Sequence, residues 1–487
     1  MTSFATRVST SIETISTQIE QYKNPSPTLF ATMLALNTND GLRGLSNGPD
    51  MLEEGWSTII ADKRTYTAFV DALEQAFEKN GARAKSTGFS SNRDVVGAFV
   101  WNVIEPTKGT YDWTIPDITV QSANEADMTL SAVIQPFATW DQVTTSEEAY
   151  RASCAAIDFG YYDYRAGPVT DMNAYHAFVT AVVERYDGDG INDMPGLSTR
   201  VEAWEIGNEI EGPCGGFYNK PDAYIDVLRT SYDAINTADD TALVLNGGAL
   251  EIAGFGAGPE ASKQFWKDFF AAGGDAYLDV FNFHYNRERG GAQSTSESWE
   301  THLTFFNELM ENSQGKKPLW VTEFGTYAGT PQLGGAPGQP RGGTQTLTTQ
   351  TEAFQAAWYF RYAVIGFSQG LERIFIDLQG SGNTGIGGAS YFHQGPGVDG
   401  TARAFLATTQ AIDRALNGFE HVERIAEGQY IFRVDDQDVF ALWNGELPDA
   451  LTGKTITRVE IDGTETVIIA DQLDFSKSSP VLVTINN

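Results

Sequence analysis

The strongest constraint on this chain is an alternation. From Met128 to Asp377, short runs rich in β-branched and aromatic residues take turns with longer segments whose apolar residues recur at helical spacing. Met128–Phe137, Val201–Glu209, Leu243–Asn246, Leu278–His284, Pro318–Glu323 and Arg373–Asp377 predict strands three to eight. After the first of these, Tyr175, Phe178, Val179, Val182 and Tyr186 mark one face of a helix that stops at Asp187-Gly188. Further helices are expected over 223–238, 262–272, 299–312 and 352–367. Upstream, Thr28–Leu36 predicts strand one and 65–79 its helix, while 81–85 and 95–103 compete for strand two. Repeated about eight times, this order gives a (β/α)8 TIM barrel, a fold that carries its chemistry at the carboxyl ends of the strands.

The barrel is expected over residues 26–417, its last helix running from Arg403 to Leu416 and closing at Asn417-Gly418. Residues 1–25 place Phe4, Val8, Ile12, Ile15 and Ile19 at helical spacing, an N-terminal helix against the main body. In 418–487 the period changes to short strands separated by Gly, Asp and Ser turns, which predicts a small C-terminal β-sandwich domain. The Gly- and Pro-rich stretch Gly329–Gly343 reads as a long loop over the barrel mouth.

Thirty-two Lys and Arg against 64 Asp and Glu leave a net charge of −32, which argues against nucleic acid or an anionic membrane surface as a partner. No apolar run approaches the roughly 20 residues of a membrane span. The first residues lack the basic start and apolar core of an export signal. An extracellular or periplasmic site is expected, with the signal absent from this sequence; the alternative is cytoplasmic. Cys154 and Cys214 fall in loops after neighbouring strands, so a disulfide is conceivable and two separate thiols remain equally open.

Two of the strand ends share a design. Val201-Glu-Ala-Trp-Glu-Ile-Gly-Asn-Glu209 drives an apolar run into a polar tip and breaks at Gly212-Pro213; Pro318-Leu-Trp-Val-Thr-Glu-Phe-Gly325 does the same around Glu323. Cleaving a glycosidic bond takes two carboxyl groups across the scissile bond, one protonated to assist the leaving group and one ionised to attack or to direct water. Trp204-Glu-Ile-Gly-Asn-Glu209 together with Trp320-Val-Thr-Glu-Phe-Gly325 resembles the two signatures of clan A glycoside hydrolases. The resemblance covers roughly residues 26–417. It implies that Glu209, after strand four, is acid/base and that Glu323, after strand seven, is the nucleophile of a retaining reaction on a carbohydrate substrate. A transglycosylase using the same residues and a non-catalytic carbohydrate-binding barrel are the alternatives.

The same resemblance gives Asn208 the sugar 2-hydroxyl, and His284 or Tyr285, at the end of strand six, a contact with nucleophile or sugar. Trp101-Asn-Val-Ile-Glu-Pro106 with Gly109, Tyr111 and Trp113 is similar to a motif found after strand two in several clan A families. Trp101 and Trp140 are candidate faces for sugar rings, with a place in the core as the competing role. Glu205 lies two positions deeper than Gly207 and is expected in a buried hydrogen-bond network. Many relatives carry a Trp at the end of strand eight, where this chain has Asp377-Leu-Gln379, which leaves the sugar open. No cofactor is expected. Asp187-Gly-Asp-Gly-Ile-Asn-Asp193 departs from EF-hand spacing and lacks its terminal Glu, so it reads as a tight acidic turn, and five scattered histidines offer no metal site.

Overall fold

The computed structural model describes residues 34–37, 85–93, 98–138, 140–142, 168–212, 215–250, 259–286, 296–311, 315–326, 328, 350–376 and 401–486. The expected N-terminal helix, the helix over 65–79, both cysteines, the Gly329–Gly343 loop and Asp377–Gln379 lie outside them.

Eight parallel strands form the centre: β1 (Leu34–Asn37), β2 (Ser91–Arg93), β3 (Thr129–Ile134), β4 (Val201–Ile206), β5 (Leu243–Asn246), β6 (Phe281–Asn286), β7 (Leu319–Gly325) and β8 (Leu371–Ile376). They pair in the order β5-β4-β3-β2-β1-β8-β7-β6, and parallel bridges Leu245–Val280 and Ala249–Phe283 join the β5 and β6 segments to close the ring. The described helices are α1 (Trp101–Ile104), α2 (Thr114–Glu125), α3 (Met172–Tyr186), α4 (Pro221–Ala238), α5 (Pro259–Ala271), α6 (Ser296–Glu311), α7 (Glu352–Ser368) and α8 (Ala404–Leu416). Their starts follow local chemistry. The Asp171 carboxylate accepts the Ala174 N–H at the head of α3, Thr351 Oγ1 accepts the Phe354 N–H at the head of α7, and a proline opens α4. The face of α3 that the spacing predicted is buried, from Tyr175 to Tyr186.

Strand two overturns both sequence candidates. It is the polar triplet Ser91-Asn-Arg93, paired with β1 and β3, and the end of the 95–103 candidate belongs to the helical turn α1, Trp101–Ile104. Pairing on both sides makes this a strand; the triplet's own residue types do not. Strand four is also shorter than expected. It ends at Ile206, and Gly207 (φ 81°) and Glu209 (φ 49°) turn through the left-handed region, so the strand alternation that would align Glu205 with Glu209 stops between them.

Inside the ring, Ala203, Leu243, Leu245, Val280, Trp320 and Phe375 form an apolar plug, with the Arg373 guanidinium 4.0 Å from the Trp320 ring centre. Inward positions nearer the carboxyl ends are polar, and that layer holds the site.

The C-terminal β-sandwich domain is built on one antiparallel ladder of β9 (His421–Ala426), β10 (Gln429–Val434), β11 (Gln437–Leu442), β12 (Thr455–Glu460), β13 (Glu465–Ile469) and β14 (Val481–Ile485), in the order β13-β12-β14-β11-β10-β9. Tyr430, Phe432, Val439, Ala441 and Leu482 join the barrel's outer core, while Phe440, Leu442, Ile456, Val481 and Val483 build a second cluster with Leu451 and Ala470. Helix α7 lies between the two parts: its Trp358 packs on Phe324 of β7, Tyr359 stacks on Phe405 of α8, and Phe360 meets Trp443 beyond β11. No described helix is long and apolar enough to cross a membrane.

Candidate active site

Arg93, wholly buried at the end of β2, organises the polar layer. Its Nε and Nη2 donate to the two oxygens of Glu205 at 2.6 and 2.7 Å, Nη2 also donates to Asn208 Oδ1 at 2.9 Å, and Nη1 donates to Glu323 Oε1 at 3.2 Å. The expected network around Glu205 is present, and Gly248 N–H adds a bond to its Oε1 at 2.9 Å. One guanidinium fork thus braces the carboxylates of β4 and β7. Burial works against the Arg93 charge, but the Glu205 and then the Glu323 carboxylates outweigh it and raise its pKa above the ordinary arginine value.

Glu209 and Glu323 do converge. His284 stands opposite Glu323 in the β6–β7 register, because β7 passes over Thr322 where Phe283 pairs with Val321 and His284 with Glu323. Its Nδ1 lies 3.0 Å from Glu209 Oε1 and 3.6 Å from Glu323 Oε2. An oxygen of each glutamate and the ring nitrogen lie within 4.8 Å of one another. Burial pushes the His284 pKa down, and the Glu323 charge with the Glu209 hydrogen bond more than offsets this, so the ring stays protonated above its usual pH. The two carboxyl groups differ in access. The Glu209 side chain is 26% exposed and the Glu323 side chain 3%.

The turn that carries Glu209 is clamped from behind. Glu211 is buried, and its Oε1 accepts from Leu250 N–H at 2.7 Å, Ser262 Oγ at 2.9 Å and Trp266 Nε1 at 2.8 Å. Burial is the largest influence on this carboxyl and pushes its pKa up to about 7.

The other predicted residues divide. Asn208 is at the site, with Oδ1 held by Arg93. Trp140 is half-buried, its indole N–H donating to Glu105 O at 2.7 Å and its ring edge-on to Trp101. Trp101 and Tyr285 are corrections. Trp101 is wholly buried, packed on Tyr175 and Phe178 and bonded through Nε1 to Glu105 Oε2 at 2.6 Å, so neither ring face is open to a sugar. Tyr285 is equally buried among Trp299, Phe324 and Trp358 with its hydroxyl on Ser298, because residues adjacent on a strand face opposite ways and His284 takes the inward one. Arg93 was missed, since a lone arginine in a polar triplet carries no periodic signal.

Among solved structures, a family 39 glycoside hydrolase from Bacteroides cellulosilyticus WH2 is similar at 16% identity over 85% of this chain and 79% of its own, with a TM-score of 0.57. A family 39 β-xylosidase from Caulobacter crescentus is similar at 12% identity over 84% of this chain and 93% of its own, with a TM-score of 0.52. The fold is that of these family 39 structures. A family 39 enzyme from Xanthomonas axonopodis pv. citri gives the same score at 12% identity, over 84% of this chain and 91% of its own. No protein-family profile and no curated protein matches the sequence.

Proposed function

We propose that this chain is a retaining glycoside hydrolase that cleaves β-glycosidic bonds of an oligo- or polysaccharide. The observation that carries the reading is the approach of Glu209, in the turn after β4, and Glu323, near the end of β7, which bring carboxylate oxygens within 4.8 Å. Oxygens this near to one another are in keeping with double displacement, for which the carboxyl groups sit about 5 to 5.5 Å apart.

Glu323 attacks the anomeric carbon while Glu209 protonates the departing oxygen, leaving a glycosyl ester on Glu323. Glu209 then takes a proton from water, which displaces the ester and regenerates both groups. The difference in exposure fits these roles: the acid/base must meet leaving group and water, whereas the nucleophile is steadied from below by Arg93. With Asn208 Oδ1 held by Arg93, its NH2 is the end of the amide left to address a sugar hydroxyl.

The test uses a panel of aryl β-glycosides and polysaccharides. Glu323→Gln is expected to abolish turnover, and Glu209→Gln to lower it by roughly 10² to 10⁴-fold, with azide restoring part of the rate by capturing the glycosyl-enzyme as a β-glycosyl azide. Product NMR showing an inverted anomeric centre, or full activity in Glu323→Gln, would refute the mechanism.

A further inference from the structure

The turn after α3 is a second carboxylate cluster, far from the first. Helices of a (β/α)8 barrel run antiparallel to the strands, so the carboxyl end of α3 lies at the opposite pole from Glu209 and Glu323. Asp187 caps that end, and an oxygen from each of Asp187, Asp189 and Asp193 lies within 4.8 Å of the others. The backbone uses one oxygen of each: Asp187 Oδ1 accepts from Asp189 N–H at 3.1 Å, Asp189 Oδ1 from Ile191 N–H at 2.7 Å and Asp193 Oδ2 from Gly190 N–H at 2.9 Å. Left-handed turns at Gly188, Gly190 and Asn192 fold the segment into this loop.

The remaining oxygens make the cluster more than an acidic turn. Asp187 is only 8% exposed, its Oδ2 and Asp193 Oδ1 are buried without a hydrogen-bond partner, and the two carboxyl groups contact one another. Two acceptors that face each other need a proton or a cation between them. None of the three pairs with a Lys or Arg among the described residues. The Arg185 and Arg200 guanidinium groups are engaged elsewhere, on Asp117 and Asp239. The negative pole of α3 adds to the field.

We propose that Asp187, Asp189 and Asp193 bind a calcium ion that ties the end of α3 to the approach to β4. Three carboxylates with spare hard oxygens in one turn suit calcium, whose shell of six to eight ligands carbonyls and water complete, better than magnesium with its strict octahedron. The ion is structural and independent of the glycosidase reading, so neither readout below is activity.

Terbium, a luminescent stand-in for calcium, is titrated into the chelator-treated protein at physiological ionic strength, and melting is followed in calcium and in EDTA. Excitation of Tyr186 and Trp113, which pack together beside the loop, is expected to sensitise saturable terbium emission that calcium competes away. Calcium is expected to raise Tm by roughly 3 °C or more. Both effects should vanish in Asp193→Asn, and in Asp189→Asn, an exposed position where the fold is not at risk, and should persist in Glu323→Gln. A wild-type protein with equal Tm in calcium and EDTA and no saturable emission would overturn the site, as would full responses in both Asp variants; stability that responds to pH alone would assign the carboxyl pair to a shared proton.

Discussion

At the scale of residues, the site depends on one buried cation serving two buried carboxylates. Arg93→Met leaves Glu205 and Glu323 without their shared counter-ion, and breaking a buried pair in this way costs about 3–5 kcal/mol. Denaturant unfolding should show that loss, with Arg93→Lys recovering only part because an ammonium cannot fork across both oxygens of Glu205. Glu211 gives a pH signature of its own. Its ordinary carboxyl value is 4.5 and the folded value about 7, so between them the folded chain keeps a proton that the unfolded chain has lost. Its stabilising contribution is present below about 4.5 and is lost as pH rises toward 7. Glu211→Gln should therefore flatten the stability profile across that window, read by melting the two proteins in a pH series. Glu209 and Glu323 were legible in the sequence because each ends an apolar run with a turn behind it. Arg93 was not, because its partners Glu205 and Glu323 lie 112 and 230 residues away and only ring closure brings them together.

At the scale of elements, strand ends matter more than strand lengths. An added Cβ at Gly248 would lie 2.1 Å from His284 Nε2, so this glycine is the floor on which the His284 ring rests. Gly248→Ala is expected to push the ring off Glu209 and lower kcat about tenfold to a hundredfold, in keeping with the cost of a 1 Å misplacement at a reacting centre, with a near-native circular dichroism spectrum. Restored activity in the double variant His284→Ala/Gly248→Ala would not be expected, because the lost contact is the ring itself. The paired apolar periods made β3 to β8 and their helices readable within a few residues. Strand β2 escaped because three polar residues have no period. Trp101 and Tyr285 mark a different limit. Sequence shows that an aromatic ring stands near a strand end, but the direction it faces is set by neighbours such as Tyr175 or Trp358, which arrive from elsewhere in the chain.

At the scale of the whole molecule, barrel and C-terminal sheet behave as one packing unit. Tyr430, Phe432 and Trp443 belong to the same core as the barrel's outer layer, and Thr408 Oγ1 of α8 bonds Ile461 O across the boundary. Calorimetry is expected to show a single cooperative transition, and a chain ending at 417 should be largely insoluble, because it bares the apolar flank of α7 and α8. The change of period near Asn417-Gly418 marks in the sequence where helices give way to short strands, but nothing in the sequence said that the two parts share side chains. In the sheet, β14 is not an edge: Val481–Ile485 lies between β11 and β12 with ladders on both sides. During synthesis, five strands must therefore wait with a gap in their midst until the sixth clears the ribosome tunnel. A nonsense codon or a nick only a few residues before position 481 would then act as a fault in the keystone, which a cell's proteases can sense before any sugar is touched.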